Sequence, residues 1–239
     1  MENQKMQQIK TNQSNSLRDI VIFDVDGTLV DTLPHVFRST IRAHEKFKLK
    51  PPLLEQFRSV YDQSDRFRKC CRSLKIPEHI IDEYNHYVYK FFKEDIRKNK
   101  PELIPTAQQM LRILKNKGTD IKILSLEDYE HTVYKFGELF FNEIFSEILS
   151  PENGKPDALA QFKKRDPLRR ITYVGDCVSD GEAALSANVP FIGLATAYSF
   201  SHESKIIEFA KQNIEKAKYA LSYFHLISVY DGMNGDPTY

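Results

Sequence analysis

The sequence contains no tryptophan, so its aromatic content rests on 16 Phe and 12 Tyr. Cysteine is scarce: Cys70, Cys71 and Cys177 make an odd number, two of them adjacent. That pattern excludes a regular disulfide framework and fits reduced thiols in a cytoplasmic protein. No apolar run is long enough to cross a bilayer, so no membrane is expected as partner. Charge of one sign is also missing. The formal net charge is +1, which leaves no broad field to draw the chain onto nucleic acid or an anionic surface. The first 19 residues lack the apolar segment of a secretory signal and read as a loose polar tail. Apart from that tail there is no repeat and no low-complexity block.

What remains is 41% hydrophobic and 28% charged over 239 residues, enough for a core shared by one large or two modest domains. Ile20–Phe23 is a short apolar run ending at Asp24, the pattern of a strand buried on both faces. From Pro34 to Asn99 no strand is expected. Between Pro77 and Lys100 the residues Ile80, Tyr84, Val88, Phe91 and Ile96 keep a helical period. After Pro105 the pattern alternates. A helix carrying Met110, Leu111 and Leu114 runs to Gly118, and strands are expected at Ile121–Leu124, Ile144–Leu149, Ile171–Val174 and Phe191–Leu194. Ser201 is expected to cap a last helix through Ile206, Ala210, Ile214, Ala217 and Leu221. Alternating strands and helices imply an α/β fold with a parallel sheet. In such a sheet ligands bind outside the carboxyl ends of the strands, where Asp24, Ser125 and Asp176 stand.

The stretch IVIFDVDGTLVDT at residues 20–32 carries the most chemistry. Asp24 can attack phosphorus and form an acyl phosphate, while Asp26, two residues on, can protonate the leaving oxygen and then activate water. Read alone, the same stretch is also an Asp-Gly hairpin between two apolar runs. Ser125 offers a hydroxyl and a following N–H to a phosphoryl oxygen, although a serine at a strand end is more often a turn residue. Lys155, ahead of a Pro-started helix, can neutralise a phosphoryl group, although most lysines are solvated. Asp176 and Asp180 follow an apolar strand and a glycine, and their hard oxygens suit Mg²⁺. Asp180 can equally cap the helix that follows. Cys177, in the same loop, has no partner base nearby in sequence and no nucleophilic role is expected of it.

Together these residues resemble the haloacid dehalogenase-like superfamily, in all four of its motifs and in order: Asp24-Val25-Asp26-Gly27-Thr28, then Ser125, then Lys155, then Gly175-Asp176 with Asp180. The resemblance runs from Ile20 to Leu194. It implies a Rossmann-like parallel-sheet core over 20–33 and 100–239, with an inserted all-helical cap over 34–99, as in its phosphoglycolate-phosphatase-like branch. It further implies that Asp24 is the nucleophile and Asp26 the acid/base. Thr28, Ser125 and Lys155 would bind the phosphoryl group, and Asp24, Asp26, Asp176 and Asp180 would hold or support Mg²⁺. The expected activity is hydrolysis of a small phosphorylated metabolite. A phosphomutase of the same fold and a non-catalytic relative are the alternatives.

Three departures from that branch stand out. Ile104-Pro105-Thr106-Ala107 replaces its usual Pro-Gly, Leu126 follows Ser125 in place of a small polar residue, and Ala195-Thr196-Ala197-Tyr198 replaces a glycine-containing turn. Glu127, Asp128 and Glu130 add negative charge beside the expected site. In the cap, Arg58, Arg66, Arg68, Lys69 and Arg72 are the candidates to clamp a second anionic group of the substrate, against the plainer reading of solvated helix faces.

Overall fold

The computed structural model describes residues 18–61, 66–149 and 152–233, with backbone alone at 66 and 67. Most of the tail expected over 1–19 lies outside the described residues; its last residue, Asp19, is tied to Arg170 at 2.7 Å. Six strands form one sheet: β1 (Ile20–Phe23), β2 (Asp120–Leu124), β3 (Glu147–Leu149), β4 (Ile171–Gly175), β5 (Phe191–Leu194) and β6 (Ala217–Ala220). Their order is β3-β2-β1-β4-β5-β6, and every pairing is parallel. β1 thus lies between two halves of the sheet, with Phe23 in register with Ile123 on one side and Val174 on the other.

β1 is apolar throughout because both of its faces are covered. Val21 and Phe23 pack with Met110, Leu111 and Leu114 of α5 (Ala107–Asn116) and with Leu226 and Tyr230 of α11 (Tyr223–Met233). The alternate residues Ile20 and Ile22 pack with Leu159 and Phe162 of α8 (Lys155–Arg165) and Ala183 and Ala184 of α9 (Val178–Ser186). Each such aliphatic side chain contributes about 1.5–3 kcal/mol by leaving water.

Between β1 and α5 the described residues are helical: α1 (Leu33–Lys46), α2 (Leu54–Tyr61), α3 (Arg66–Ser73), a 3₁₀ turn at Glu78–Ile80 and α4 (Ile81–Lys98). This insert has its own apolar cluster of Ala43, Cys71, Ile76, Ile81 and Tyr84. α1 and α4 are joined by Asp95, which meets His35 at 2.7 Å and Arg38 at 2.8 Å. Burial works against the charge on Asp95, but the hydrogen bonds from Arg38 and His35 outweigh it and hold its carboxyl below the usual range. The chain enters and leaves the insert side by side. Asp31 N–H donates to Glu102 O and Ile104 N–H to Leu29 O, both at 2.9 Å, around a Val30–Leu103 bridge. Among the described residues no helix is long and apolar enough to cross a membrane.

The structure corrects three sequence expectations. The strand expected from Ile144 spans only Glu147–Leu149, because Ile144 closes α7 (Glu138–Ile144), which follows α6 (Tyr129–Phe136). The long last helix is instead α10 (Glu203–Gln212), then β6, then α11. Asn213 ends α10 by turning its side-chain amide back to Phe209 O at 2.9 Å. Ile214 and Leu221, which had mimicked a helical period, are 63% and 54% exposed. The cap of α10 is His202, not Ser201. The Ser201 hydroxyl instead accepts from Val178 N–H at the start of α9, at 3.1 Å.

Thr106, where the family's branch usually carries glycine, sits at φ +69°. A β-branched residue in the left-handed region is strained by about 1–2 kcal/mol. Thr106→Gly is therefore expected to stabilise the protein by about 0.5–1 kcal/mol, after allowing for the looser unfolded chain. The urea midpoint reads this directly, and a lowered midpoint would show that the backbone there is unstrained.

Candidate active site

The loop after β1 is built to bring carboxylates together. Asp24 N–H donates to Val174 O at 2.9 Å, which extends the β1–β4 ladder by one residue and sets Asp24 beside the end of β4. Val25 O then accepts from Leu29 N–H at 2.8 Å and Val30 N–H at 3.0 Å, closing a tight turn. Gly27 makes the turn possible. Its φ is +76°, and a Cβ there would lie 2.5 Å from Asp176 Oδ2 and 2.6 Å from Phe200 Cδ2.

Asp24, Asp176 and Asp180 meet at this edge, with Lys155 among them. Lys155 Nζ lies 2.8 Å from Asp24 Oδ1 and 2.8 Å from Asp180 Oδ1. Lys155 is the first residue of α8, reached through Gly154 at φ +91°. Asp180 also accepts from Tyr173 Oη at 3.2 Å and from Cys177 N–H at 3.1 Å, so it both positions Lys155 and closes the first turn of α9. Asp176 accepts from the Thr28 hydroxyl at 2.9 Å and from Phe200 N–H at 2.6 Å. Thr28, expected to bind substrate, is fully buried and turns its hydroxyl to Asp176. Its own carbonyl accepts from Tyr223 Oη on α11.

The charges here are unbalanced. Burial pushes the Asp24 carboxyl up to about 6, although Lys155 pulls it down. Burial and the neighbouring Asp180 and Asp24 push Asp176 well above the carboxylate range. One lysine faces three carboxylates. A carboxylate has about four lone-pair sites; Asp176 accepts from Thr28, from Phe200 N–H and, at 3.8 Å, from Cys177 Sγ, Asp180 accepts three bonds, and Asp24 meets Lys155. Asp24 and Asp176 thus keep oxygen sites for a hard cation, and this donor set fits Mg²⁺. Asp176, Cys177 and Asp180 also bring potential ligand atoms within 4.8 Å of one another, but the thiol is a soft donor.

Asp26 is served by a second lysine. Lys135 Nζ on α6 lies 2.6 Å from Asp26 Oδ1 and 2.6 Å from Glu127 Oε2, with its side chain wholly buried. Burial disfavours its charge, but Asp26 and Glu127 outweigh burial and lift its pKa above the lysine range. Glu127 is pushed up by burial and by Asp26, against the pull of Lys135. Ser125, buried at the end of β2, accepts from Glu127 N–H at 3.1 Å and so shapes the loop that carries this acid. Lys135 escaped the sequence reading: a lysine inside a polar helix carries no local mark of burial.

The insert lies over this edge. Tyr61 stacks on Phe200 with ring centroids 4.7 Å apart. Arg58 donates to Ser199 O at 3.0 Å and Ser201 O at 3.2 Å, fastening α2 to the loop after β5. Arg68 pairs with Glu78 and Asp82, Arg72 with Glu78, and Lys69 is exposed. The Arg66 side chain lies outside the described residues.

A fold of this topology, with acidic residues at the ends of β1 and β4 and a lysine between them, has a known counterpart. The sequence model of the haloacid dehalogenase-like hydrolases matches residues 21–194, and the chain belongs to that family. Phosphoglycolate phosphatase of Agrobacterium fabrum is 26% identical over 198 residues, spanning 78% of this chain and 84% of that protein. The phosphoglycolate phosphatase of Rhodobacter capsulatus is 22% identical over 205 residues, spanning 80% and 93%. A haloacid dehalogenase-like family hydrolase from Streptococcus pneumoniae shares the fold, with a TM-score of 0.73 at 15% identity over 89% of this chain and 98% of that one. Within the family the chain is an enzyme of the phosphatase kind.

Two substitutions test this construction. Gly27→Ala is expected to destabilise the protein by about 1–3 kcal/mol through forced contact with Asp176 and Phe200, and to lower kcat; an unchanged urea midpoint would contradict the close approach. Lys135→Met strands Asp26 and Glu127 and should cost about 3–5 kcal/mol. Adding Glu127→Gln should recover part of that loss, and strict additivity of the two changes in a double-mutant cycle would show that they do not interact.

Proposed function

We propose that the protein is a Mg²⁺-dependent phosphatase that hydrolyses a small phosphomonoester through an aspartyl phosphate on Asp24. The observation that carries this reading is the buried group of Asp24, Asp176 and Asp180, with Lys155 paired to Asp24 and Asp180. Asp24, with its side chain and the end of β4 alongside, is the nucleophile. Its carboxylate oxygen bonds to phosphorus as the bond to the leaving oxygen breaks, and Asp26 gives that oxygen its proton. Water then attacks phosphorus, Asp26 takes the proton back, and inorganic phosphate leaves with the Asp24 carboxylate restored. Lys155 and the Ser125 region balance the phosphoryl charge, and Lys135 keeps Asp26 in position.

Mg²⁺ would be held by Asp24, Asp176 and the Asp26 backbone carbonyl, with Asp180 in support. When bound it supplies positive charge to the phosphoryl oxygens. The insert at 34–99 acts as a lid that excludes water and large substrates. A small phosphorylated metabolite fits beneath such a lid; nucleic acid and membranes are not partners. The three cysteines are buried and form no disulfide, which supports a cytoplasmic setting.

Asp24→Asn is expected to keep the fold by circular dichroism and to lose more than about 10³-fold in kcat. Acid quench of the wild type should trap a hydroxylamine-labile phosphoryl group that the variant lacks. EDTA should abolish turnover, and added Mg²⁺ should raise the Tm of the wild type but not of Asp176→Asn. Near-normal activity in Asp24→Asn, or indifference to EDTA, would overturn the mechanism.

A further inference from the structure

The cavity above Asp24 holds about 330 Å³, roughly ten times the liquid volume of one water. Its floor carries Asp24, Asp26, Glu127 and Lys155. Its walls come mostly from the insert and differ from the floor in kind. Val36 of α1, Phe57 of α2, Val88 and Phe92 of α4, and Leu74 line it. Tyr61 and Phe200 add a stacked pair, and Phe57 leans on Tyr61 with centroids 5.2 Å apart. Cys70 and Cys71 also face the space. Burial pushes these thiols up to about 11 and about 12, so they present neutral, polarisable surface. Of the polar liners, Thr40 is spent, since its hydroxyl donates to Val36 O at 2.9 Å.

Among the described residues of this wall no side chain is cationic. Among the described lining residues Lys155 is the one cation, and it already lies between Asp24 and Asp180. Arg58 faces Ser199, Ser201 and Glu203, while Arg68 and Arg72 face Glu78. A carboxylate brought into the cavity beside a phosphoryl group would therefore find no free cation among the described liners, Asn85 and Tyr89 being neutral, and would be repelled by Asp26 and Glu127. An apolar group there would gain from every methylene buried.

We propose that the leaving alcohol of the substrate is an uncharged apolar group, alkyl or aromatic, and that phosphoesters bearing a second anionic group are rejected. This rests on the phosphatase reading and narrows it to a substrate class. It also separates the chain from the activity named for its relatives, since phosphoglycolate bears a carboxylate.

The test is kcat/KM for ethyl, butyl, hexyl and benzyl phosphate and for phosphoglycolate, with Mg²⁺ present. Efficiency should rise about three- to fourfold per methylene from ethyl to hexyl phosphate. Benzyl phosphate should match or exceed butyl phosphate, and phosphoglycolate should fall at least about tenfold below ethyl phosphate. Val88→Lys, checked for folding by circular dichroism, should move the butyl-to-phosphoglycolate ratio at least about tenfold toward phosphoglycolate. A flat chain-length series, phosphoglycolate at or above butyl phosphate, or an unchanged ratio in folded Val88→Lys would overturn the proposal and leave the phosphatase reading standing. Failure to hydrolyse any ester, with no phosphoryl group trapped on Asp24, would overturn both.

Discussion

Like charges gathered at the ends of two neighbouring parallel strands must be compensated, and this constraint organises the molecule. β1 and β4 are locked in register, so Asp24 and Asp176 cannot move apart without breaking the ladder. Lys155 enters from the first turn of α8, Asp180 from α9, and the backbone N–H of Phe200 from the loop after β5. Lys155 and the Phe200 N–H each bring a partner to a buried carboxylate whose isolation would be costly, while Asp180 adds a third acid that holds Lys155 in place. Even Tyr223, near the end of the described chain, serves this edge by holding the carbonyl of Thr28, whose hydroxyl holds Asp176.

A second centre of compensation stands on the other side of Asp24. Lys135 joins Asp26 to Glu127, and neither acid contacts Lys155 in the ion pairs formed. The site therefore divides into two lysine-centred groups, Lys155 with Asp24 and Asp180, and Lys135 with Asp26 and Glu127. Such a division lets the two acids of a single Asp-x-Asp motif live in different surroundings despite being two residues apart.

Much of this was legible in the sequence where chemistry and local structure coincide. The apolar run of β1 ending in Asp24, and that of β4 ending in Gly175-Asp176, mark strand, turn and acid within one short window each. Lys135 was not legible, because its burial is decided by α6 packing against the Asp26 loop, over a separation of 109 residues. The role of Thr28 was equally hidden, since its partner Asp176 is 148 residues away. β6 was missed because AKYA carries no β-branched residue to announce a strand, and the spacing of Ala210, Ile214 and Leu221 matched a helix that Asn213 ends. Local pattern decided the elements flanking the site; long-range pairing decided how they close around it.

The ribbon at Val30 and Leu103, through which the chain passes into and out of the insert, has an evolutionary reading. The core itself holds those two points together, so whatever lies between them behaves as a loop whose ends are already closed. The entropy of closing a loop grows only with the logarithm of its length, about 0.6 kcal/mol per doubling. Helices could be added, lost or exchanged there at small cost to folding, without disturbing the register of β1 or the position of Asp24. A lineage can thus keep the strand-end carboxylates constant while it rewrites one detachable paragraph of the gene.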